Sequence, residues 1–132
     1  MYKKITYSQI KEFLDEKTEL YLSPNFISED PISIPHHFNK KEDIEIAAFL
    51  SSTIAWGRRS MILKNAERMM EIMEYSPHDF VLHASNNEID KSLNFYHRTF
   101  QGIDFQTFIL GLRNIYQNHN DLETCFHTKN ED

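Results

Sequence analysis

Cysteine is all but missing: the chain has one, Cys125, in 132 residues. That excludes a disulfide-stapled scaffold and a paired-CxxC metal site. Three glycines and four prolines exclude collagen-like and low-complexity chains. No apolar run approaches the roughly 20 residues that cross a bilayer. The opening Met1–Ser8 lacks the apolar stretch and small-residue cleavage site of a secretory signal. The expectation is a cytoplasmic protein with no membrane partner. Also missing are a Gly-rich phosphate loop, an HExxH or GxSxG motif, a hairpin signal such as Asn-Gly, and an internal repeat. Positive charge is short too. Lys and Arg number 14 against 20 Asp and Glu, a net charge of −6. A broad basic face, which supplies nonspecific affinity for nucleic acid, is therefore excluded.

What is present suffices to fold: 40% hydrophobic and 13% aromatic residues are too many for a disordered chain. Ile10, Phe13, Leu14, Leu20 and Tyr21 recur at helical spacing after Ser8, a plausible N-cap. Ser23-Pro24 ends that helix. Pro24, Pro31 and Pro35 then make residues 23–38 an extended linker with Ile32, Ile34 and Phe38 docked. Asn39-Lys40-Lys41-Glu42 reads as a capping box. It opens a helix from Ile44 to Trp56 that is apolar on every side, hence the buried central helix, with Gly57 just past its end.

A third helix starts near Ser60 and stops at Ser76-Pro77. Its Met61, Met69, Met70 and Met73 fit core packing better than an adaptable groove. A short helix from His78 to Ala84 follows, then one or two turns over 88–93. A last long helix is capped by Asp104, with Gly111 placed for a close helix neighbour, and Leu122 and Phe126 hint at a further turn. The expected fold is all-α: five to seven helices in a bundle-like domain spanning residues 1–132 as one unit.

Two clusters carry candidate chemistry. Trp56-Gly57-Arg58-Arg59-Ser60 puts two guanidinium groups ahead of a helix N-terminus, where free amides already favour an anion. Lys64 lies one turn on, so residues 57–64 hold three positive charges and no negative one. Phe95-Tyr96-His97-Arg98-Thr99-Phe100 is a second aromatic and basic run. Candidate nucleic-acid or anion ligands are Trp56, Arg58, Arg59, Lys64 and Arg98. The bland alternative is a core Trp56 with its arginines solvated or paired to carboxylates. His36 and His37 point to opposite sides of an extended segment, and the other five histidines show no ligand spacing, so no metal is assigned. Cys125 reads as an incidental thiol. No catalytic residue and no cofactor is assigned.

Several stretches resemble the uncharacterised bacterial family DUF2400. They are Phe26 to Phe38, especially Asp30-Pro31-Ile32-Ser33-Ile34-Pro35-His36-His37-Phe38, then Lys40 to Ala47, Thr53-Ile54-Ala55-Trp56-Gly57-Arg58, Ser76 to Val81, and His97-Arg98-Thr99-Phe100. Together they span most of residues 10–115. The resemblance implies that this chain is the N-terminal portion of a larger helical protein. Ile46 to Met70 is also distantly similar to helix-hairpin-helix DNA glycosylases such as endonuclease III. There a buried helix ends in a turn whose Gln enters DNA; Thr53 stands at that place here. The hairpin, the catalytic Asp motif and the four-cysteine cluster of those enzymes are absent, so no catalytic residue carries over.

Two functions fit these observations. One is a DNA-binding or DNA-repair-like helical module whose catalytic half is absent. The other is a non-catalytic interaction module that pairs with a C-terminal half or with a second copy of itself.

Overall fold

A computed structural model describes residues 4–127. Among the described residues the fold is all-α apart from one two-stranded ribbon. The helices are α1 (Tyr7–Tyr21), α2 (Pro24–Ile27), α3 (Lys41–Thr53), α4 (Arg59–Ile72), α5 (Pro77–His83), α6 (Asn86–Ile89) and α7 (Gly102–Asn118). Strands β1 (Tyr96–His97) and β2 (Phe100–Gln101) pair antiparallel, His97 opposite Phe100.

α3 is the hub. It packs against α4, α5 and the turn Pro35–His37. Ile46, Ala47, Leu50 and Ile54 are fully buried among Ala66, Met69, Met70, Met73, Val81, Phe105 and Ile109. Each large apolar side chain so buried contributes about 1.5–3 kcal/mol. Met69, Met70 and Met73 are core, as their stripe implies, whereas Met61 in the first turn of α4 is 47% exposed. Burial of α3 on every side does not hold: Ile44 and Ala55 are exposed, and Ala48 and Phe49 are only half-covered. One flank of α3 faces open grooves.

α3 also ends three residues before Trp56. The hydroxyls of Ser51, Ser52 and Thr53 turn back onto their own helix, donating to the carbonyls of Ala47 (2.6 Å) and, for the other two, Phe49 (2.8 Å each). Such back-bonding competes with continuation of the helix. Gly57 therefore lies in the following connection, where φ +112° requires glycine.

Five further expectations change. Residues 23–38 are not extended. They form α2 and two 3-10 turns, Pro31–Ser33 and Pro35–His37, because each proline sits at the first position of a turn, where its fixed φ suits helix initiation. Asp30 caps the first 3-10 turn through the amide of Ile32 at 3.0 Å. The caps move as well. Thr6, not Ser8, caps α1 in a box with Gln9. Lys40 precedes α3 without a side-chain cap. Asp104 lies inside α7 and accepts the amide of Gln101 at 2.8 Å. The ribbon was not expected, because its two-residue loop Arg98-Thr99 lacks glycine and Arg98 takes φ +56°.

Gly111 has no close neighbour: a Cβ there would meet nothing within 4 Å. It pays only the entropic cost of glycine in a helix. Gly111→Ala is expected to raise stability by about 0.5–1 kcal/mol in chemical denaturation; unchanged or lower stability contradicts this.

Candidate functional site

The two clusters that lie 40 residues apart in sequence meet in space. β1 and its loop dock on the start of α4 and on the connection from α3. His97, 2% exposed, organises the junction. Its Nε2 lies 3.0 Å from the Trp56 carbonyl oxygen, which only accepts, so Nε2 carries the proton. Nδ1 then accepts from the Asn65 side-chain amide at 2.8 Å. Both ring nitrogens are thus satisfied. Its ring meets the Trp56 indole edge to face, centroids 5.4 Å apart.

Above this buried plug sits Arg98. Its guanidinium carbon lies 5.2 Å from the Trp56 ring centroid, a cation–π contact. Its side chain also crosses Gly57, where a Cβ would come within 3.0 Å of Nη1. Trp56 is 39% exposed, so it is neither core nor fully solvated. Arg58 and Arg59, both exposed, follow directly and open α4, whose N-cap Arg58 supplies no side-chain bond to the first amides. Among the described residues, no carboxylate lies within 4.0 Å of Arg58, Arg59, Lys64 or Arg98. Lys64 is exposed one turn further along α4, next to the buried Asn65. Trp56 and Arg98 meet at one corner, Arg58 and Arg59 follow it directly in the chain, and Lys64 lies five positions beyond Arg59 on α4, with no contact that ties it to the corner among the described residues.

Other basic residues are committed elsewhere. Arg113 donates from Nε to the Val81 carbonyl (2.5 Å) and from Nη2 to the Ala84 carbonyl (2.7 Å), capping α5. Arg68 donates to the Asn94 carbonyl at 3.1 Å and ties α4 to the chain just before β1. Lys40 contacts Nδ1 of His78 at 2.8 Å; burial, then the Lys40 charge, lowers the His78 pKa. His37 lies 3.8 Å from Glu67, whose other oxygen accepts the Tyr75 hydroxyl at 2.6 Å. That bond pushes the Tyr75 pKa up to about 12.

One acidic group among the described residues comes within metal-ligating reach: Glu45, Asp121 and Glu123, with oxygens within 4.8 Å of one another. The Lys41 ammonium already occupies the centre, at 2.7 Å from Asp121, 2.6 Å from Glu123 and 3.6 Å from Glu45. The hydrogen bonds that Lys41 donates to Asp121 and Glu123 raise its pKa, and Lys41 holds both carboxyls below their ordinary range. Glu45 also accepts the Tyr116 hydroxyl at 2.7 Å and the Leu122 amide at 3.1 Å. The cluster carries its own cation and fastens the turn Glu123–Phe126 to α3. Cys125 is exposed, its thiol 3.8 Å from the Asp121 carbonyl.

Sequence reading picked out Trp56, Arg58, Arg59 and Arg98 but missed Asn65 and the positioning role of His97. Asn65 is one polar residue on a long amphipathic helix, and nothing local marks it. Among the described residues, no helix is long and apolar enough to cross a membrane. A family model described as "Protein of unknown function (DUF2400)" matches residues 30–132, most of the chain and all of the corner. No curated protein and no solved structure matches the chain.

Proposed function

We propose that this chain, which belongs to the DUF2400 family, binds nucleic acid through the Trp56–Arg98 corner. The observation that carries this is Arg98 set against the 39%-exposed Trp56 indole with Arg58 and Arg59 next in the chain, none of the three guanidinium groups having a carboxylate within 4.0 Å among the described residues. Guanidinium forks match phosphate oxygens in pairs. An indole face stacks on any base, worth about 1–3 kcal/mol per base. His97 and Arg98 hold the Trp56 ring in place, with Arg98 against the ring.

The remaining surface is acidic on balance, so the contact is narrow. Three or four phosphates neutralised give a log affinity against log salt slope of about −2 to −3 on a single strand. Single-stranded DNA or RNA suits an exposed stacking face better than a closed duplex. A DNA-repair role as the non-catalytic half of a divergent glycosylase is the finer form of this proposal. It is supported by the order of a buried helix, a turn and a second helix. The contact would run through the arginines rather than through the end of α3, because the Ser51, Ser52 and Thr53 hydroxyls are spent on their own backbone.

Fluorescence anisotropy with labelled single strands and duplexes at low salt tests it. Arg58→Ala with Arg59→Ala is expected to weaken single-strand binding about 10–100-fold and to flatten the salt slope by about 1–2. Both side chains are exposed, so the fold is unaffected. No binding at low salt, or an affinity indifferent to the double substitution, overturns the proposal.

A further inference from the structure

We propose that α1 is an exchange arm that docks in the groove beside the corner of a second copy of this chain. The helix buries none of its residues, yet it is amphipathic. Ile10, Phe13, Leu14, Leu20 and Tyr21 form its stripe, each between 46% and 56% exposed. A stripe of this kind on a 15-residue helix marks an interaction face rather than scattered surface apolars. The Tyr21 ring meets Phe26 edge-on at 5.4 Å. Only Leu22 and Ser23 separate α1 from α2.

The same chain offers the complementary surface. A cavity of about 500 Å³ runs along the uncovered flank of α3, walled by Ile32, Pro35, Ala48, Ala55 and Ile62. Its lining carries two charges, Asp30 and Arg59. The stripe of α1 carries one charged residue at its centre, Lys17, flanked by Glu16; these pair with each other at 2.9 Å while the helix is undocked. Docked, Lys17 exchanges Glu16 for Asp30. The neighbouring grooves lack this match. The one beside Phe126 is flanked by Glu45 and Glu123, already engaged by Lys41, and the one beside Phe108 has no charged wall. Reciprocal exchange closes a two-fold dimer and uses both arms and both grooves. Five half-exposed side chains leave on the order of 400 Å² per arm. Counted with the groove walls and doubled by symmetry, that reaches the size of a stable interface.

Sedimentation equilibrium of the whole chain at micromolar concentration decides it, independently of nucleic-acid binding. A dimer is expected. Phe13→Glu with Leu14→Glu on the arm, and separately Ala55→Glu on the groove wall, should each weaken it about 100-fold with the far-UV spectrum unchanged, because all three positions are exposed. A monomeric parent chain, including one whose arm folds onto its own groove, overturns the proposal. So does a dimer that loses its arm stripe without effect. A dimer broken by the arm variant but intact in Ala55→Glu would mean arm-to-arm pairing and also overturns it.

Discussion

His97→Ala is expected to destabilise the chain by about 3–4 kcal/mol and to scatter the cationic corner, although the imidazole is 2% exposed and touches no ligand. Removing the ring takes away two hydrogen bonds at once. The Asn65 amide, 8% exposed, loses its acceptor, and the Trp56 carbonyl loses its donor. Each buried polar group left alone costs about 1–3 kcal/mol. The loss also removes the edge that supports the indole, and with it the platform under Arg98. Trp56 is the sole tryptophan. Its emission therefore reports the corner directly, and a red shift in folded protein is the expected signature. Urea unfolding gives the energy, and anisotropy measured where the variant is still folded gives the binding. A full-affinity variant with unshifted emission would show that His97 only fills space.

That one histidine shows what could be read from sequence and what could not. Helical periodicity located α3, α4 and α7, because the packing that decides them is local in spacing: Ile46, Leu50 and Ile54 on one element, Phe105, Ile109 and Leu112 on another. It failed where single polar side chains redirect the backbone. Three consecutive hydroxyls end α3 early, and three prolines coil residues 23–38 instead of extending them. The corner was half legible. Arg58 and Arg59 announce themselves beside Trp56, and Arg98 stands out in its own aromatic run. Their meeting rests on Asn65 and His97, 32 positions apart, and no pattern along the chain encodes a contact of that range. α1 is the reverse case. Its stripe was legible, yet nothing among the described residues buries it.

The corner also has a foundation, and Gly102 is its keystone. Residues 93 and 102 bracket the ribbon that carries His97 and Arg98, and their backbones touch. A Cβ at Gly102 would stand 2.2 Å from the Leu93 carbonyl oxygen and 2.4 Å from its carbon. No side-chain rotation relieves such a clash, because the obstacle is main chain. Gly102→Ala must therefore push the turn Asp90–Asn94 off the start of α7. The gain in helix propensity, at most about 1 kcal/mol, is outweighed by a cost of roughly 3 kcal/mol or more. For a chain of this size the melting temperature should fall by about 10 °C or more. The displaced turn carries the Asn94 carbonyl that Arg68 holds, so the ribbon would lose its anchor to α4 as well. Hydrogen exchange should then show faster amides at 95–101 before the rest of the chain opens. Gly111→Ala in the same helix makes the internal comparison: the same added methyl, the same backbone conformation, and the opposite sign. If both variants melt together, close approach at Leu93 is not what glycine at 102 serves.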